Sequence, residues 1–282
     1  MKRLADRNNL LCECAGTILH DQWAEFNRLR EMVLTGQEPD TVHDLRVASR
    51  RLRATLRLLE PFISRKRVTF IAVRIRRLTR GLGRLRNIDE GVLFFSTAAT
   101  ELDGVVGPLG DERKRERARI VTMLKRFPHH SVDRVVRHCI AELVGAAATS
   151  RRAPVLSVYL SGVVFTGFLE INHLLPTAVL PVNREPRHAL RIAIKKWRYN
   201  LETISRMVDK DYGVVLELLK EYQSLLGRMN DLVEFGELCT ILDLDTDCRV
   251  RIDDCLNHAG EKFLRCFCAL AEARPLHCTL LL

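Results

Sequence analysis

Two stretches 145 residues apart carry one pattern: Val42-His43-Asp44-Leu45-Arg46-Val47-Ala48-Ser49-Arg50-Arg51-Leu52-Arg53, and Arg187-His188-Ala189-Leu190-Arg191-Ile192-Ala193-Ile194-Lys195-Lys196-Trp197-Arg198. About forty residues after each histidine a second pair agrees, Leu82-Gly83-Arg84-Leu85-Arg86-Asn87 against Leu226-Gly227-Arg228-Met229-Asn230-Asp231. Agreement in order and spacing reads as a duplicated unit, with residues 1–148 and 149–282 as the two repeats of one domain.

The repeated element is an amphipathic helix. At about 100° per residue, His43, Arg46, Arg50, Arg53 and Arg57 fall within a sector of about 80°, while Leu45, Ala48, Leu52, Leu56 and Leu59 share a different sector. The second copy places His188, Arg191, Lys195 and Arg198 on one stripe and Leu190, Ala193, Trp197, Leu201 and Ile204 on the other. Arg51 and Lys196 lie off both stripes and read as solvated charges. The helix after the first copy is similar, with Ile71, Ile75, Leu78, Leu82 and Leu85 on one face and Arg76, Arg77, Arg80 and Arg84 opposite.

Charge gives these stripes a purpose. Residues 43 to 86 hold 14 Lys+Arg and two acids, so that segment carries +12 and the other 238 residues net −2. A solvated helix face normally interleaves acids; 44 residues almost without them repel one another unless an anion sits there. Guanidinium offers planar, two-pronged donors that stay charged at cellular pH, which suits phosphate. The ten residues from His43 to Arg53 rise about 15 Å, enough to meet several successive phosphates.

The remaining punctuation is helical. Periodic runs are expected over about 9–34 (ending at Thr35-Gly36), from Pro39-Asp40 to Pro61, and over 64–85, 87–101, 111–126, 131–147 and 155–174. A linker is expected from Pro176 to Pro186, then helices over 187–207, 212–226, 230–241 and 250–272. No segment alternates long enough for a sheet. The uncharged stretch between Arg152 and Glu170 is at the short limit for a membrane span, and its Ser157, Tyr159, Ser161, Gly162 and Thr166 favour a buried helix. Nine cysteines form no Cys-x-x-Cys pair, which fits reduced thiols better than a disulfide or zinc framework. The basic start is interrupted by Asp6, Arg7 and Glu13 before any signal-peptide core develops, so a cytoplasmic location is expected.

His20-Asp21 and His43-Asp44 match the His-Asp dipeptide of metal phosphohydrolases, but no companion His and Asp set follows, and no metal or other cofactor is expected. Trp197 lies on an apolar stripe and only Tyr199 borders a basic one, so the aromatic platforms of single-strand nucleic-acid binders are lacking. His129-His130 and the Arg113–Arg119 cluster, interleaved with Glu112 and Glu116, read as loop and solvated helix.

These segments, VHDLRVASRRLRATLRLLEPF from Val42, RHALRIAIKKWRYNLETI from Arg187, LGRLRNID from Leu82 and LGRMNDL from Leu226, resemble the CHAD domain, the conserved histidine α-helical domain. The resemblance implies an all-α fold of two four-helix bundles with approximate internal twofold symmetry around a basic cavity, and binding of inorganic polyphosphate, with phosphate or sulfate able to stand in for it. On that reading the binding residues are His43, Arg46, Arg50, Arg53, Arg57, Arg77, Arg80, Arg84, His188, Arg191, Lys195 and Arg198. None is expected to be catalytic, and the expectation is a free-standing, non-enzymatic binding or granule-targeting module with no membrane partner. The alternatives are a nucleic-acid-binding helical protein and a polyphosphate-processing enzyme. Two departures stand out: Asn87 replaces the Asp usual after Arg in the first Leu-Gly motif, although Asp89 matches a later one, and Glu202 occupies the place of Arg57, where it should orient Arg198.

Overall fold

Apolar side chains at three- and four-residue spacing become helix throughout the computed structural model, which describes residues 2–36, 41–98, 103–149, 156–180, 184–242, 244 and 246–276. Among them are nine α-helices and no strand: α1 (Lys2–Thr35), α2 (Thr41–Leu58), α3 (Arg65–Ala98), α4 (Asp103–Lys125), α5 (His129–Thr149), α6 (Leu156–Ala178), α7 (Arg184–Val208), α8 (Gly213–Thr240) and α9 (Thr246–Ala273). A 3-10 turn, Glu60–Phe62, follows α2, where Pro61 has no N–H to extend the helix. Gly36 ends α1 as expected: at φ +74° it adopts the left-handed cap and donates its N–H to Met32 O (3.0 Å).

The chain forms two compact units, each assembled from three separate segments. The first comprises Met1–Leu82, Ile120–Gly167 and Lys196–Gly213, the second Gly83–Arg119, Phe168–Lys195 and Val214–Leu282. In the first, α1 packs on α2 and α5. Leu11, Ala15, Ile18, Leu19 and Phe26 of α1 and Val132, Val136, Cys139 and Leu143 of α5 are buried. The amphipathic face of α2 supplies Leu45, Leu52 and Leu56, fully buried, and hydroxyls fix its rotation: Thr79 donates to Ser49 Oγ (3.0 Å), while Thr55 and Thr203 pair at 3.2 Å. In the second unit Phe95, Val105, Leu109, Leu232, Phe235 and Ile252 form one core.

Three expectations are corrected. The breaks foreseen near residue 86 and near residue 228 do not occur, and α3 and α8 are each one long helix. Leu82, Leu85 and Ile88 keep the buried stripe of α3 running past Asn87, whose side chain donates to Glu234 Oε2 (2.8 Å). The foreseen linker is partly helix: α6 runs through Pro176 to Ala178, because a proline near the last turn removes only its own bond and Val179 N still reaches Leu175 O (3.3 Å). Residues 181–183 of that linker, and the expected Pro39-Asp40 start of α2, lie outside the described residues.

The helix foreseen as buried, α6, is largely uncovered. It is long and apolar enough by composition to cross a membrane, yet only 11% of its apolar window is buried, and Val158, Phe165 and Leu169 are exposed. The eight described cysteines are free thiols; Cys278 lies outside the described residues.

Candidate anion-binding site

The first unit gathers the arginines of α2 and of the N-terminal half of α3. Arg46, Arg50 and Arg53 are half-buried on α2, with His43 one turn before Arg46 and Arg57 exposed near the helix end. Across from them Arg76, Arg77 and Arg80 are exposed on α3. The convergence shows in Arg53. Its guanidinium is pushed down to about 10, first by desolvation and then by the positive charges of Arg57, Arg76, Arg50 and Arg80. Arg53 Nε is a buried donor without an acceptor. Among the described residues no carboxylate pairs with Arg50, Arg53, Arg57, Arg76, Arg77 or Arg80.

A third helix joins this surface. Arg198 of α7 donates to Glu202 Oε1 (3.0 Å), one turn on, and Arg51 donates to Glu202 Oε2 from 3.3 Å. Glu202 thus holds Arg198 as expected. Arg51 is exposed, as foreseen for a solvated charge, and reaches the same carboxylate from α2. Tyr199 is buried, and the guanidiniums of Arg50 and Arg198 lie 5.8 and 5.0 Å from its ring centroid. Arg198 Nε, like that of Arg53, is buried without an acceptor.

The charges of the second unit are arranged differently. Arg84, past the point where α3 enters that unit, donates to Glu112 (2.8 Å) and lies 3.6 Å from Glu116. Arg86 pairs with Glu90, and Arg113 donates to Asp89 (2.6 Å). Glu116 is buried and Asp89 half-buried; Lys114, Arg115, Arg117 and Arg119 of α4 are exposed on a solvated helix as foreseen, while its Glu112 and Glu116 meet Arg84. On α7, His188 is exposed and donates from Nδ1 to Asn230 Oδ1 (3.1 Å), Arg191 is half-buried, and Lys195 is buried, only 9% exposed. His129, foreseen in a loop, opens α5 and stacks on Trp23 (5.7 Å).

By sequence the first unit contains 27 Lys+Arg and 14 Asp+Glu, the second 18 and 21, so one is +13 and the other −3. Of the expected binding residues the structure brings together Arg50, Arg53, Arg57 and Arg80, with Arg198 beside Arg50 on Tyr199. It assigns Arg84, His188, Arg191 and Lys195 to the second unit. Arg76 was absent from that expected set although its place on the polar face of α3 was visible; its action on Arg53 depends on how two helices rotate together.

The CHAD domain family model matches residues 17–240. None of the curated proteins matches the chain. Among solved structures, the crystal structure of the CHAD domain from the plant Ricinus communis superposes with TM-score 0.67 at 22% identity, covering 94% of this chain and 88% of that one. PptA from Streptomyces chartreusis gives 0.59 at 15% identity, covering 93% and 99%. Both likenesses concern the fold. With the family match spanning both copies of the His-containing helix, the chain belongs to the CHAD domain family.

Proposed function

We propose that this protein binds inorganic polyphosphate, and that the arginines of the first unit carry the contact. The observation that supports it most is Arg53, half-buried among four other guanidiniums with no carboxylate to offset them. Such a cluster costs stability in the empty protein and is relieved by a polyanion with closely spaced charges. Arg46, Arg50, Arg53 and Arg57 follow one another along about 16 Å of α2, and Arg76, Arg77 and Arg80 add a second row. His43 belongs at the start of this row; Arg84, His188, Arg191 and Lys195, which the sequence also offered to polyphosphate, belong to the second unit. Phosphate and sulfate are weaker ligands of the same donors.

The role is binding rather than catalysis. Guanidiniums neither accept a proton nor attack phosphorus at neutral pH. A cytoplasmic protein of this kind would concentrate on polyphosphate granules. The test is competition at several salt concentrations between long polyphosphate, single-stranded RNA and duplex DNA, matched in total charge. Polyphosphate should prevail, with log affinity falling against log salt at a slope of about −4 for six contacts, by the single-strand value of about 0.7 per phosphate. Displacement of polyphosphate by RNA at equal charge would replace this reading with nucleic-acid binding.

A further inference from the structure

The second unit contains a groove of about 920 Å³ between α7, α8 and α9, in the size range of small-molecule sites. Its walls differ in chemistry. From α7 come Arg184, Arg187, His188 and Arg191, with Glu185 among them; from α8 and α9 come only carboxylates as charged groups, Glu237, Asp253 and Glu261. Met229, Val233, Leu256 and Leu264 supply apolar surface between them. Gly236 and Gly260 line the groove as well, and their missing side chains keep it open: Cβ atoms there would only reach ordinary contact with Leu256 (3.7 Å) and Leu232 (3.8 Å). The α9 wall lies beyond the segment matched by the family model.

A bare polyanion does not fit this chemistry. Four carboxylates repel it, in a unit whose net charge is already −3. A ligand that suits every wall must bring negative charge to the arginines, hydrogen-bond donors to the carboxylates and a flat apolar body to the leucines and methionine. A sugar phosphate has the first two; a nucleoside phosphate has all three, with ribose hydroxyls or an exocyclic amine as donors. We propose that the groove is a nucleotide site, different in selectivity from the arginine surface of the first unit. The inference shares His188 and Arg191 with the polyphosphate reading and does not otherwise rest on it.

The experiment is titration calorimetry of the full chain with ATP and, separately, with inorganic tripolyphosphate, followed by long polyphosphate. ATP should bind at least tenfold more tightly than tripolyphosphate. Gly236→Leu, which fills the groove and favours the helix, should abolish ATP binding and leave long polyphosphate bound. Glu237→Ala with Asp253→Ala should weaken ATP about tenfold through two lost hydrogen bonds, while tripolyphosphate binds equally or better. Arg53→Glu with Arg57→Glu should weaken long polyphosphate and spare ATP, so the two readings fail separately. ATP binding no tighter than tripolyphosphate, or undiminished in a folded Gly236→Leu protein, would overturn the nucleotide site.

Discussion

Trp197 stands against Gly167 so closely that a Cβ on the glycine would lie 2.1 Å from Trp197 Cδ1. The indole is buried and donates its N–H to Val164 O (2.9 Å), one turn earlier on α6. Gly167 is therefore the only residue type that lets α6 meet the apolar stripe of α7 at this point. Gly167→Ala gains helix propensity but forces the indole off its acceptor. The net cost should be about 1–3 kcal/mol, seen as a drop of several degrees in melting temperature.

A second prediction concerns the trade between stability and binding at Arg53. Its charge is opposed by burial and four like charges, so Arg53→Met should stabilise the ligand-free protein by about 1 kcal/mol while weakening polyphosphate binding. The sign follows from the direction of the shift. A base held below its unfolded value opposes folding while it is charged, which for Arg53 covers every pH below about 10. Added sulfate or phosphate should raise the wild-type melting temperature, and raise that of Arg53→Met less. An equal rise in both would show that the anions act elsewhere.

His129 predicts a pH response in the opposite part of the molecule's chemistry. Its imidazole is held below the ordinary value, chiefly by desolvation and next by Arg30. The unfolded chain therefore binds this proton more readily, so the contribution is present above about pH 6.5 and is lost as pH falls through that value. His129→Phe preserves stacking on Trp23 and should flatten the loss of melting temperature between pH 7 and 5. An unchanged pH profile would assign the loss to other groups.

Burial also predicts thiol reactivity. Cys139 is pushed up to about 12 and Cys239 to about 11 by desolvation, whereas Cys266 is exposed. A maleimide at neutral pH should label Cys266 in the native protein and reach Cys139 and Cys239 only in denaturant. Mass spectrometry of the labelled peptides checks this.

What the sequence reveals here depends on how local the cause is. The stripes of α2 and α7 are legible because one helical period separates Leu45, Leu52 and Leu56 from Arg46, Arg50 and Arg53, and burial follows that division. The pairing of Arg84 is not, since Glu112 lies 28 residues away and meets it only through packing of α4 on α3. Nor is the role of Arg51: its position off the basic stripe is visible, but the carboxylate that claims it comes 151 residues later. The uncovered face of α6 shows the same limit, because an apolar run specifies what should be buried and not what is available to cover it. Asn87 and Gly227 mislead in the other direction, as local breakers within helices that tertiary burial carries through.

The final prediction separates position from total charge. Arg57 and Arg80 belong to the cluster around Arg53 and have no carboxylate partner among the described residues; Arg65 and Lys66, at the start of α3, are exposed, and Arg65 lies only 3.7 Å from Glu60. Arg57→Glu with Arg80→Glu and Arg65→Glu with Lys66→Glu change net charge equally and touch no buried apolar side chain. If polyphosphate lies along the cluster, the first pair removes direct charge-assisted hydrogen bonds and adds repulsion near the bound chain, costing on the order of 3 kcal/mol. The second acts through screened Coulomb forces over a Debye length of about 8 Å, costing about 0.5 kcal/mol. Affinities measured at physiological salt should therefore differ by more than tenfold between two folded proteins of identical charge. Equal losses would mean that binding reads the +13 field of the first unit as a whole, and the arginine cluster would lose its claim to be a site.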